Sequence, residues 1–122
     1  MYERLKAKDL AHLRSTLLVS QGNRCALCME PITSDPVCDH DHKSGLIRGT
    51  LHRGCNTLLG KAENGARRYG VNLQAFAVNL SAYLNQHQGV LHPSVKTPDE
   101  KKAIAKRRRT RAKAKAKAHT GT

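Results

Sequence analysis

Two short-spaced ligand pairs constrain this chain more than any other feature: Cys25-Ala26-Leu27-Cys28 and His52-Arg53-Gly54-Cys55. Each leaves two residues between its members, the spacing at which one backbone turn can offer two ligands to one zinc ion. Zinc takes four soft or borderline ligands in a tetrahedron, so the pairs together predict a structural Cys₃His site of Cys25, Cys28, His52 and Cys55. The 23 residues between Cys28 and His52 are long enough to hold a hairpin. Cys38, alone beside Asp39, is the alternative to His52 as fourth ligand; a buried free thiol is the preferred reading for it. A staple is also what a chain of this composition needs. Its 122 residues allow one domain, and with no Trp, one Phe and three Tyr its core must be thin.

The rest of the chain predicts an α+β domain flanked by helices. Residues 2–20 carry Leu5, Leu10, Leu13, Leu17 and Leu18 at helical spacing, and Gly22 is placed to end that helix in a left-handed cap. Pro31 and Pro36 mark a loop. Residues 37–51 read as a hairpin turning at Lys43-Ser44-Gly45. A helix follows from about Cys55, with Leu58, Leu59 and Ala62 on one face, and Gly70 breaks it. Another amphipathic helix is expected over residues 73–87, with Phe76, Ala77, Leu80, Tyr83 and Leu84 on one side. The expected organisation is an N-terminal helix over 1–20, a zinc-stapled core over 21–70, a helical segment over 71–89, a linker over 90–100 and a tail over 101–122.

The formal net charge is +13, and it is concentrated at one end. Residues 96–122 hold 11 basic and 2 acidic side chains, leaving +9 there and +4 in residues 1–95. A weakly basic domain with a strongly basic tail points to a polyanionic partner, usually nucleic acid. Lys102, Lys106, Arg107, Arg108, Arg109, Arg111, Lys113, Lys115 and Lys117 are the candidate phosphate contacts in an Ala/Lys/Arg tract that should be disordered when free, although its alanines permit helix on binding. The tail lacks the Trp, Phe or Leu that an interfacial membrane helix inserts. Met1 to Lys8 is charged and no signal-like apolar run follows, which predicts an intracellular, cytoplasmic protein, with cysteines serving as metal ligands or thiols rather than disulfides.

Between the two ligand pairs lies Asp39-His40-Asp41-His42. Side chains alternate along a strand, so the two aspartates face one way and the two histidines the other, unless distortion at the strand end brings both sets together. Four ionisable residues in a row suit metal and proton chemistry better than packing. Asn56, directly after the last zinc ligand, is uninformative alone, since an Asn near a helix start is usually a cap. Arg48 on the second strand could contact a phosphate or pair with Asp41. His12, His87, His92 and His119 need no function.

Taken together, CALC, DHDHKSGLIRGTL and HRGCNTLLG, spanning Cys25 to Gly60, resemble the phage recombination endonuclease VII family, part of the wider HNH or His-Me finger nucleases with a ββα-metal fold. The resemblance implies that residues 21–70 are the nuclease core and that the activity is hydrolysis of DNA phosphodiesters, on duplex or branched DNA such as a four-way junction. It implies Asp39 and Asn56 as holders of a catalytic Mg²⁺ or Mn²⁺, His40 as general base, His42 as an orienting group and Asp41 as a secondary member. The cysteine pairs would then hold Zn²⁺ for structure only. An imidazole can take a proton from water near neutral pH, and one oxygen-liganded cation can neutralise charge on the phosphate and on the leaving 3′ oxygen. The chain departs from the family pattern at two points. His52 stands where Cys is usual, and Leu59 stands where some members carry an acidic residue, so no third carboxylate ligand is expected there; whether Glu63, about two helical turns beyond Asn56, reaches the site stays open. A general HNH nicking or homing-type enzyme and a non-catalytic zinc-ribbon DNA-binding protein are the alternatives, and symmetric cutting of branched DNA would favour a homodimer.

Overall fold

The computed structural model describes residues 2–120, with side chains through residue 118. The chain divides into two compact units, Met1–Tyr83 and Leu84–Thr122. In the first, a 3₁₀ turn at Ala7–Asp9 leads into helix α1 (Leu10–Ser20). Strands β1 (Pro36–His40) and β2 (Ile47–His52), helix α2 (Arg53–Tyr69) and helix α3 (Leu73–Leu84) follow in order. Residues 2–6 have no regular structure, although the leucine spacing extends the predicted helix through them. Tyr2 and Leu5 are exposed there, and a short helical extension without an apolar surface to pack on is not stable by propensity alone.

Helix α1 lays Leu13, Arg14, Leu17 and Leu18, its half-buried face, towards the hairpin. It stops where the sequence says it should: Gly22 takes φ 69° and Asn23 φ 60°, and the Asn23 N–H returns to the Leu18 carbonyl at 2.9 Å. The side chain of Gln21 then acts as a short strand of its own. Its Nε2 donates to the Thr50 carbonyl at 2.8 Å and its Oε1 accepts the Thr50 N–H at 2.9 Å. The Thr50 hydroxyl completes the tie by donating to the Arg14 carbonyl at 2.8 Å. Gly49 permits this approach, because a Cβ there would lie 3.2 Å from the Ala26 Cβ and 3.3 Å from Gln21 Oε1.

The hairpin is antiparallel, with Pro36 opposite His52 and Asp39 opposite Gly49. The register then slips, since His40 faces Ile47, leaving Arg48 as the extra residue of a bulge on β2. The turn is built by Asp41, whose Oδ1 accepts the Lys43 N–H at 2.7 Å and the Ser44 N–H at 3.3 Å, while Gly45 supplies φ 77°. Helix α2 begins immediately after β2 and ends at Gly70, in the left-handed conformation at φ 66°. Among the described residues the buried apolar core is Cys25, Ile32 and Leu51, with Leu18, Cys55 and Leu59 packed against it. Leu59 is thus a packing residue.

Asn72 opens α3 by accepting the Ala75 N–H at 3.1 Å. This helix ends at Leu84, three residues short of the expected His87, and none of its residues is buried. Phe76, Val78, Leu80, Tyr83 and Leu84 are all exposed. In the second unit the expected disordered tail is instead a helix, α4 (Pro98–Thr120). Thr97 starts it: its Oγ1 accepts the Glu100 N–H at 3.2 Å, Pro98 takes the first helical position, and Asp99 and Glu100 lie in the first turn. Ala, Lys and Arg, all good helix formers, carry it on. Among the described residues no helix is long and apolar enough to cross a membrane.

Candidate active site and metal centre

Cys25 and Cys28 sit on the turn that follows α1, where the Met29 N–H returns to the Cys25 carbonyl at 2.9 Å. His52 closes β2 and Cys55 lies in the first turn of α2. The ligand atoms of these four residues all fall within 4.8 Å of one another. His52 Nδ1 faces the sulfurs, 3.3 Å from Cys28 Sγ and 3.8 Å from Cys55 Sγ. Its Nε2 is 2.9 Å from the Pro31 carbonyl, the backbone partner that fixes ring and tautomer in zinc-bound histidines. The donor set, three sulfurs and one imidazole nitrogen converging on a point, fits zinc, and it is the Cys₃His set expected from the two pairs. Burial pushes the Cys25 thiol up, but the N–H groups of Cys28, His52 and Leu27 outweigh it and bring the thiol down to about 6. The Cys55 thiol is pushed up to about 11 by burial and by its bonds with Cys28 and Cys25. Cys38 stands outside the cluster on β1, half-buried, its thiol pushed up by burial.

Along β1 the expected alternation holds for Asp39 and His40: the carboxylate is buried and the imidazole exposed. Beyond His40 the strand ends and the chain turns, which sets the His42 ring 4.8 Å from that of His40. Asp41 points into its own turn, and the Lys43 and then the Ser44 N–H hold its carboxyl below the usual range. Arg48 does not pair with Asp41. The bulge aims it at Asp39, with Nε to Oδ2 at 2.7 Å and Nη2 to Oδ1 at 3.2 Å. The same guanidinium grips Glu63 of α2, with Nη1 to Oε2 at 3.2 Å and Nη2 to Oε1 at 3.3 Å. Asp39 first and Glu63 next raise the guanidinium still further above its ordinary range. Glu63 therefore joins Asp39 through Arg48, a three-residue chain that no spacing rule announces.

Asn56 is half-buried in the first turn of α2, and its side chain bonds to no described residue. Beside the hairpin turn runs a groove of about 630 Å³, lined by Asp41, His42, Lys43 and Arg48 on one side and by Glu63, Asn64 and Arg67 of α2 on the other. His40 and Asn56 are not part of its lining. Of the remaining histidines, His12 is exposed, His87 accepts the Gly89 N–H at 3.1 Å, and His92 pairs with Ser94 at 2.7 Å. The side chain of His119 lies outside the described residues.

The sequence profile of recombination endonuclease VII matches residues 3–86. The chain belongs to that family. It is accordingly a nuclease whose substrate is DNA. The match takes in the Cys₃His cluster, the Asp39–His42 stretch and Asn56, and it stops before α4. A comparison with curated proteins gave no match.

Proposed function

We propose that this family member hydrolyses the backbone of branched DNA with a divalent cation held by Asp39 and Asn56 and with His40 as general base. The observation that carries the reading is the pairing of an inward carboxylate with an outward imidazole at the strand end. The residues fit the cation. Asp39 is only 6% exposed yet already holds a positive group, the Arg48 guanidinium, as a stand-in. Asn56 offers an amide oxygen with no competing partner among the described residues. Oxygen donors of this kind suit Mg²⁺ or Mn²⁺, which when bound neutralises charge on the phosphate and on the leaving 3′ oxygen.

His40, exposed beside the groove's rim residue His42, takes the proton of the attacking water as its oxygen bonds to phosphorus. The P–O3′ bond breaks, and the released oxygen collects a proton from solvent. His42 orients the phosphate or the water, and Lys43 and Arg67 of the groove attract the backbone. Cys25, Cys28, His52 and Cys55 would hold a zinc that ties the end of the hairpin to α2, the support that a base and a metal site on different elements need. Two strands cut symmetrically call for two copies, and the exposed apolar residues of α3 supply a surface for that pairing.

The test is cleavage of a synthetic four-way junction and of supercoiled plasmid, each with and without Mg²⁺. Junction cleavage in Mg²⁺ alone is expected. Nicking of plasmid with no preference for the junction would make the enzyme a general nicking nuclease. Binding of both without cleavage would make it a zinc-stapled binding module.

A further inference from the structure

We propose that Arg48 is a displaceable counter-ion that competes with the catalytic cation for Asp39 and is retained by Glu63 when it lets go. The inference rests on the reading of Asp39 as a cation holder. A carboxylate as buried as Asp39 needs a positive partner, and in this structure the guanidinium is that partner, engaging both carboxylate oxygens. A divalent cation on the same carboxylate places like charges side by side, so the two occupants exclude each other.

The geometry supplies somewhere for the guanidinium to go. Nη1 and Nη2 already make a complete two-pronged pair with the two oxygens of Glu63, at 3.2 and 3.3 Å. Giving up Asp39 costs Arg48 its Nε bond and part of an Nη2 bond that is shared with Glu63 and with the His40 carbonyl at 3.4 Å. Glu63 is more exposed than Asp39, 25% against 7% by side chain, so it can hold the charge alone at less cost. Arg48 also lines the groove, which leaves its outer edge free to meet a phosphate once the switch has been made. The bulge makes the arrangement possible, because in regular pairing the residue between Gly49 and Ile47 would not be inserted opposite the Asp39–His40 step. Arg48 is thus a positioning residue: it keeps Asp39 oriented and charge-balanced before the cation arrives.

The experiment is titration of the zinc-loaded full chain with Mn²⁺ alone, reading free Mn²⁺ by its electron paramagnetic resonance signal, without DNA. Arg48→Lys keeps the positive charge but loses the fork that engages both Asp39 oxygens. It is expected to lower the Mn²⁺ Kd by about tenfold, the factor corresponding to one charge-assisted hydrogen bond. Arg48→Gln should lower it at least as far, and Arg48→Lys carries the test if the uncharged variant folds poorly. Glu63→Gln should raise the Kd in the wild-type background and do so much less in Arg48→Lys. An Arg48→Lys protein that binds Mn²⁺ no more tightly than wild type overturns the competition. A Glu63→Gln effect of equal size in both backgrounds overturns the retention, since Glu63 would then act on the cation without Arg48. Asp39→Asn separates this inference from the reading beneath it. Loss of Mn²⁺ binding there, with Arg48→Lys unchanged, discards only the role of Arg48; retained binding discards Asp39 as cation holder and the competition with it.

Discussion

Asp39 and His40 are neighbours in sequence with opposite surroundings, and the difference comes from the two-residue period of a strand. The buried one is fixed by Arg48 and the exposed one is free to meet water and phosphate. His40→Ala therefore removes a proton acceptor without touching the core. Single-turnover cleavage is expected to fall by roughly 10²–10⁴-fold, with thermal melting and DNA affinity close to wild type. A near-wild-type rate would move the general base to His42. Gly49 behaves in the opposite way, silent in chemistry and demanding in structure. Gly49→Ala drives a methyl against the Ala26 Cβ and Gln21 Oε1 in a buried strand. It should cost about 1–3 kcal/mol, read as a lower melting temperature with unchanged zinc content. At this scale the metal ligands were legible because ligand spacing is a local property. The Asp39–Arg48–Glu63 chain was not, because it depends on a one-residue register slip and on the approach of α2, neither of which leaves a mark in the local pattern.

The elements are joined by very little apolar surface. Among the described residues, a core of Cys25, Ile32 and Leu51 with half-buried neighbours on α1 and α2 leaves the Cys₃His cluster to connect the turn after α1, the end of β2 and the start of α2. Folding of this unit should therefore be metal-linked, since structural zinc contributes apparent free energy on the order of 10 kcal/mol. Cys28→Ser is expected to abolish the cooperative melt and the zinc content of about one per chain, measured by calorimetry and metal analysis. Cys38→Ser should keep both, because Cys38 stands outside the cluster. A cooperative melt retained in strong chelator would contradict the linkage. Helix and hairpin positions were readable from periodicity and from Gly22, Gly45 and Gly70, all found at positive φ. Residues 2–6 stay outside the helix that their leucine spacing predicts, because that spacing marks a possible face and not whether anything covers it. Helix α4 departs from the expected disorder for the converse reason. Thr97-Pro98-Asp99-Glu100 is a helix-start signal, whereas the composition of the low-complexity tract that follows it predicts disorder.

At the scale of the whole molecule, helix α4 lies beyond the family match, and its charge says what it can add to a nuclease. Helix α4 has 23 residues, so it is about 35 Å long, close to one turn of B-DNA. Its ten basic residues from Lys101 to Lys117 are followed by no acidic side chain, and they surround the helix rather than forming a stripe. Pairs four apart, such as Lys102 with Lys106, Arg107 with Arg111 and Lys113 with Lys117, repel one another in water. Phosphates on both sides of a groove would relieve that repulsion. The helix has no Phe, Tyr or Trp to stack on a base, so such binding follows the backbone and reads no sequence. If about half of the ten charges each replace a condensed counter-ion, the slope of log K against log salt should become shallower by roughly 4 to 5 in a chain ending at Thr97. The loss of affinity should be largest at low salt and similar for all DNA sequences. Turnover at saturating DNA should be unchanged, because every residue proposed to act in cleavage precedes α4. The measurement compares the full chain and the shortened one at several salt concentrations, for binding and for cleavage at saturation. Equal slopes would leave α4 without a part in DNA binding, whereas a lower saturated rate in the shortened chain would mean that α4 acts on the cleavage step itself.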